Sequence, residues 1–240
     1  MIDTALISEN HSELNLAKES YRHSLVQFHS LLTKPRALKG DYPGLAFDRM
    51  PVQHQAPVAQ ALAEWVDFFQ MHSTGEVISE KQFLWRFLKR FRLKAHPDFF
   101  SSVDDETCFE VVNTEGRQTF RSISVMDFCS YSLDELVSTP WFELFSRDQN
   151  ITDRYLEFQE HLTSGTLVHT NLEGIIPTHD VYENFGFDKM VLTMKPLYLS
   201  PIYDMDDNVV GVISAIKILN CRSRRTENKE RAMVELAAVK

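Results

Sequence analysis

MVLTMKPLYLSPIYD (190–204), MDDN (205–208) and VVGVISAIKIL (209–219) follow one another without a break. Two runs rich in aliphatic and β-branched side chains flank a turn whose Asp and Asn side chains can hydrogen-bond their own backbone. That pattern predicts an antiparallel hairpin. In the second run apolar residues occupy both parities, Val210, Val212, Ile216 and Ile218 on one and Val209, Ile213, Ala215 and Leu219 on the other. A strand with one wet face would be apolar on a single parity, so both faces of this strand are expected to be covered.

Upstream, CFEVVN (108–113), the turn TEG and RQTFRSI (117–123) read as a second, tighter hairpin, with Gly116 supplying a positive φ. A short helical stretch follows at 125–129. Ser132 then caps LDELV, with Glu135 three residues on to complete a capping box. Ile151, Tyr155, Phe158 and Leu162 mark a longer helix over 151–162, ended by Gly165. Residues 166–187 mix strand and loop signals. The order strand, strand, helices, strands predicts an α+β fold: an antiparallel sheet with helices gathered on it.

The first hundred residues are helix-like. Leu14, Ala17, Tyr21, Leu25, Phe28 and Leu32 recur at helical steps from Ser12 to Pro35. A Pro- and Gly-bearing connection over 35–56 leads to a helix with Val58, Leu62, Trp65, Val66 and Phe69 on one face. A third helix runs from Ser79, its N-cap, to Leu93. Its stripe of Phe83, Leu84, Phe87, Leu88 and Phe91 is the largest apolar partner on offer for the outer face of the sheet, within the chain or across a dimer. Arg86, Lys89, Arg90, Arg92 and Lys94 beside that stripe are read as solvated residues of a docked helix. Residues 95–103 read as a linker. The expected organisation is a helical region over 1–100, a sheet domain over 104–220 and a charged, helical tail over 221–240.

The chain has 240 residues, 43% of them hydrophobic, enough to build a packed core. Its net charge of −9 argues against a dominant nucleic-acid surface. No window has the apolar length of a membrane span, and the first residues lack the basic and apolar regions of a secretion signal; a cytoplasmic protein is expected. Cys108, Cys129 and Cys221 share no metal-ligand spacing and read as thiols of a reducing compartment. His169 and His179, with Glu173 and Asp180, lack the spacing of a zinc site, so no metal site is assigned. Gly-rich phosphate loops and nucleophile elbows are missing, and the chain is not read as an enzyme.

The segment from Cys108 to Leu219 resembles a PAS domain. Ser130-Tyr131-Ser132-Leu133-Asp134-Glu135-Leu136 with Pro140-Trp141 is similar to the family's "GYSPEEL…W" segment, and Val210-Gly211-Val212-Ile213-Ser214 to its closing "GVIG" run. Ser130 and Leu133 replace the usual glycine and proline. The resemblance implies helices covering a concave sheet, with a small apolar cavity between them. Trp141, Phe145, Tyr155, Phe158, Met190, Met194 and Ile213 are its expected lining. The light-sensing branch traps flavin with a cysteine in the central helical region, and none lies between Cys129 and Cys221. Haem would need His161, read here as a solvated helical residue. The cofactor is left open. The expected function is a signalling sensor that binds a small apolar ligand or a protein partner and acts through helix docking or self-association. The alternatives are a ligand-free interaction adaptor, a secreted bacterial effector, or the input part of a transcription regulator.

Overall fold

The computed structural model describes residues 4–31, 44–72, 79–186 and 188–224, with side chains from residue 14 onward. The chain divides into two compact units, Met1–Val77 with Ser132–Pro140, and Ile78–Tyr131 with Trp141–Lys240.

In the first unit, α1 (Thr4–Leu31), α2 (Leu45–Arg49) and α3 (Val52–His72) are joined by α7 (Leu133–Ser138) from further along the chain. Helix α1 starts at Thr4 and not at Ser12, because nothing in TALISEN breaks a helix. Tyr21, Leu25 and Phe28 are fully buried, and Phe28 meets Trp65 and Phe69 of α3 at ring-centroid distances of 4.6 and 4.9 Å. Helix α3 runs through Pro57 in its second turn, where the missing N–H removes one backbone bond. Ser132 caps α7 with the expected Glu135 box. The buried Asp134 of α7 accepts hydrogen bonds from Tyr21 Oη at 2.9 Å and from the N–H groups of Ala46 and Phe47 at 2.7 and 3.1 Å. Burial, and then the charge of Asp134, push the Tyr21 phenol well above its ordinary range.

The second unit opens with α4 (Glu80–Arg90), capped by Ser79 with a Gln82 box. The expected linker at 95–103 is instead structured: β1 (Lys94–Ala95) pairs with a later strand, and α5 (Pro97–Ser101) buries Phe99. There follow β2 (Cys108–Asn113), β3 (Gln118–Arg121), α6 (Ile123–Phe128), α8 (Trp141–Leu144), β4 (Phe145–Ser146) and α9 (Gln149–Thr163). Strands β5 (Thr170–Asn171), β6 (His179–Glu183), β7 (Met190–Tyr203) and β8 (Val209–Ser223) complete it. The sheet is ordered β3-β2-β8-β7-β6-β4. Taken as five principal strands in chain order, this is 2-1-5-4-3, so the first and last strands lie side by side. Both hairpins read from the sequence are present, β2–β3 turning at Gly116 with φ 76° and β7–β8 turning through MDDN. The sheet is PAS-like, with α9 on one face.

Register assigns the faces. Glu110 opposes Ser214 and Val112 opposes Val212, so these residues share the inner face, toward α9. Phe109 opposes Ala215 and Val111 opposes Ile213 on the outer face. Phe120, opposite Val111, meets Phe83 and Phe87 of α4 at 5.6 and 4.7 Å, and Phe99 of α5 meets Phe109 at 5.9 Å. The apolar stripe of α4 is thus buried on the outer face at Phe83, Leu84, Phe87 and Leu88, while Phe91 caps the helix end half-buried. This is why the unit boundary falls at 77/78 and not near residue 100. The charged tail lies outside the described residues from 225 onward. No helix among the described residues is long and apolar enough to cross a membrane.

Candidate functional site

The inner face of the sheet and α9 enclose a cavity of about 60 Å³. By volume that is room for roughly four to six waters or a small organic group. The alternating pleat sends Glu110 and Val112 of β2, and Val212, Ser214 and Ile216 of β8, into it. Leu192, Met194 and Leu199 of β7 form the floor beyond, while Trp141, Phe145, Tyr155 and Gln159 come from α8, β4 and α9. The walls are mostly apolar.

One cation lies among them. Arg147, on the two-residue link between β4 and α9, lines the cavity with its guanidinium carbon 5.1 Å from the Trp141 ring and 5.2 Å from the Tyr155 ring. Two aromatic faces replace much of its hydration by cation–π contact. Its Nε is buried and makes no hydrogen bond to a described residue. Burial lowers the guanidinium's proton affinity, although arginine stays charged, and it pushes the Tyr155 phenol far up. A half-buried guanidinium with an unpartnered Nε at a mostly apolar wall favours an anion or a strong hydrogen-bond acceptor.

Glu110 acts on Arg147 from a distance but makes its direct ion pair with another arginine. Its Oε1 lies 2.7 Å from Arg121 Nη2, and Arg121 is 1% exposed. The two residues oppose each other across β2 and β3, which fixes the pair on the inner face. Arg121 is ion-paired but poorly hydrogen-bonded, since none of its guanidinium nitrogens makes a well-directed bond to a described residue. Phe145 covers it, with the guanidinium carbon 6.0 Å from the ring.

Of the residues expected to line a cavity, Trp141, Phe145, Tyr155 and Met194 do so. Phe158 packs, half-buried, against the neighbouring cluster of Tyr155, Leu162, Leu172 and Leu199. Met190 begins β7, opposite Ser223, and is not among the lining residues. Ile213 is a correction: it is fully buried but faces outward, because Val212 and Ser214 take the inward parity. Sequence reading missed Arg147, Glu110 and Gln159, for no periodicity marks a polar side chain turned inward between apolar ones. None of the three cysteines lines the cavity; Cys108 and Cys129 are buried and Cys221 is half-buried. Desolvation raises the thiols of Cys108 and Cys221, which leaves both as weak nucleophiles.

A second grouping lies elsewhere in the same unit. His169, which the sequence reading set beside His179, Glu173 and Asp180, meets His96 and Asp98 instead: one ligand atom from each of the three falls within 4.8 Å of the others. His179 stands near Tyr155, ring centroids 6.3 Å apart, with its Nδ1 2.8 Å from the carbonyl of Pro177 and its basicity lowered chiefly by burial.

No family model matches the chain, and no curated protein is significantly similar to it. Solved structures similar to it include the light-state structure of the blue-light photoreceptor Aureochrome1 LOV, 14% identical, covering 55% of this chain and 91% of that one with a TM-score of 0.35. The dark structure of the same domain is 14% identical over 55% and 85%, with a TM-score of 0.33. An RNA-binding light-oxygen-voltage receptor is 11% identical, covering 98% of this chain and 66% of that one with a TM-score of 0.30. The PAS-like description rests on this chain's own strand order and helix placement.

Proposed function

We propose that the sheet unit is a sensor module whose inner cavity takes a small, largely apolar ligand ending in a carboxylate or another strong acceptor. The single observation that carries this is Arg147, a half-buried arginine clamped between Trp141 and Tyr155 with a buried, unpartnered Nε at an otherwise apolar wall. The apolar body of the ligand would lie on Val112, Leu199 and Val212 while its acceptor end neutralises Arg147. Gln159 and Ser214 offer further polar contacts at the rim. We assign the site to binding and not to catalysis: the groups facing it are a paired carboxylate, an arginine and a high-pKa phenol, and no lining residue is an activated nucleophile. A cysteinyl-flavin reaction has no thiol in this wall.

Occupancy would be read through α9, which contributes both Tyr155 and Gln159 to the wall, so a ligand that orders Arg147 also fixes the helix that covers it. The output is then a change in how α9 docks on the sheet, presented to a protein partner or a second copy.

The test is native mass spectrometry of the purified chain, followed by titration with benzoate and with its neutral counterpart benzamide while Trp141 fluorescence is followed. Retention of an acidic small molecule, or tighter binding of benzoate that Arg147→Met abolishes, supports the assignment. Equal response to both compounds with Arg147→Met unchanged, and no bound molecule in the native protein, refutes it.

A further inference from the structure

Two histidines distant in sequence are delivered to one point by strand register. β1 and β5 both pair with the edge of β7 that faces away from β8: Ala95 opposes Ile202, and Thr170 opposes Leu199. The strands run antiparallel to β7. One residue past the end of β1 therefore reaches Pro201, and one residue before the start of β5 reaches Ser200. Those residues are His96 and His169. The His96 N–H approaches Ser200 Oγ at 3.4 Å, and the two imidazole rings lie 4.2 Å apart. His169 is held from behind by a stacked contact with Tyr198, 5.5 Å between centroids at 16°. Asp98 arrives from the first turn of α5, where His96 is the N-cap and its Nδ1 accepts the Asp98 N–H at 3.3 Å.

We propose that His96, Asp98 and His169 form a binding site for a divalent transition-metal cation of the zinc type. Two imidazoles and one carboxylate are a donor set that zinc accepts, leaving a fourth position for water or an incoming ligand. Zinc–ligand bonds of about 2.0–2.1 Å at tetrahedral angles put ligand atoms about 3.3 Å apart. The observed spread of 4.8 Å closes with a side-chain rotation, and the Asp98 side chain, 66% exposed, is free to make it. An independent observation points to a ligand: His169 Nδ1 is buried and has no hydrogen-bond partner among the described residues. Imidazole nitrogens that serve only structure are normally satisfied when buried; in the Nε2–H tautomer this one has a lone pair to give. The metal would tie the β1–α5 segment to the open edge of β7, between β5 and β1, where the main-chain ladder is interrupted.

The experiment uses the full chain without an affinity tag, stripped with a chelator and titrated with Zn²⁺ alone and with Co²⁺ alone. The expected result is saturable, one-to-one Zn²⁺ binding with a rise in Tm, and visible Co²⁺ absorption of a four-coordinate nitrogen–oxygen site. Asp98→Asn and His169→Ala should each weaken Zn²⁺ binding by tenfold or more, whereas His161→Ala, on the exposed side of α9, should leave it unchanged. Asp98 is exposed, so Asp98→Asn folds even if His169→Ala does not. Absence of saturable Zn²⁺ binding below about 100 μM, roughly 5.5 kcal/mol, overturns the proposal. So does binding that neither variant weakens.

Discussion

Replacing Glu110 by Gln tests whether the inner face of the sheet is as dry as the cavity reading requires. The substitution keeps volume and one acceptor but removes the charge that Arg121 faces at 2.7 Å. With charge centres about 4 Å apart and an effective dielectric near 20, the lost attraction is about 4 kcal/mol. Arg121 is 1% exposed and cannot turn to water for compensation. Stranding one member of a buried pair costs about 3–5 kcal/mol. At roughly 2–4 °C per kcal/mol for a domain of this size, Tm should fall by about 6–20 °C. Thermal and urea unfolding followed by far-ultraviolet circular dichroism measure it. The double variant Glu110→Leu with Arg121→Met removes both charges and should recover to within about 1 kcal/mol of the parent, since apolar replacement of a buried pair is often neutral. A cycle coupling of about 2 kcal/mol or more is expected for groups in direct contact. If Glu110→Gln shifts stability by less than about 1 kcal/mol, or the double variant loses as much as the two single variants added together, the pair is solvated. The inner face would then not be the low-dielectric site in which Arg147 calls for an anion.

In the first unit, Asp134→Ala removes the acceptor shared by Tyr21, Ala46 and Phe47 and should cost about 2–4 kcal/mol by leaving buried donors unpaired, read by unfolding of the full chain; a loss under 0.5 kcal/mol would mean that water replaces it. Gly211→Ala places a Cβ 2.3 Å from the Val112 carbonyl oxygen, a backbone atom, and should destabilise the β2–β8 seam by about 1–3 kcal/mol; a neutral effect in urea would show that the seam can widen. Phe158→Ala, at a half-buried site beside the cavity, should cost less than the roughly 3–5 kcal/mol of a full core truncation, and a measured loss in that range would place Phe158 inside the core. Asp180 is held below the ordinary carboxylate range by hydrogen bonds from Arg222 and then Thr193. Its contribution is therefore present above the unfolded value near 3.9 and lost as pH falls through the folded value, so Asp180→Asn should lower stability at pH 7, flatten the acid limb of the stability–pH curve below about pH 4 and bring the two proteins together in acid. An identical acid limb in both proteins would show the Arg222 contact to be solvated in solution.

What could be read from the sequence is what is local. The 190–219 hairpin follows from alternation and from turn chemistry confined to MDDN. The capping boxes at Ser79 and Ser132 need residues just three positions away. The need for a cover on the outer face follows from both parities of β8 being apolar, and the α4 stripe lies against Phe120 on that face. What could not be read depends on partners remote in the chain. LDELV reads as part of a PAS-like domain, yet its Asp134 bonds to residues 87 and 113 positions earlier, and the helix belongs to the N-terminal unit. The resemblance implies Ile213 as cavity lining, but its strand is apolar on both sides, and only the pairing of β2 with β8 decides which side is inward.

The same distinction explains why both side-chain groupings escape pattern reading. Arg147 lies in a link whose neighbours, Ser146 and Asp148, are exposed, and a basic residue there reads as surface. It joins the cavity wall because Trp141 and Tyr155 close over it from two different helices. His96 and His169 are 73 positions apart in a chain with 9 histidines, so spacing carries no signal. Their meeting follows from the register of β1 and β5 on β7: a shift of either register by two residues would carry one imidazole about 6.6 Å along the edge, out of reach of the other. In both places the grouping is made by contacts between segments remote in the chain, which no local pattern encodes.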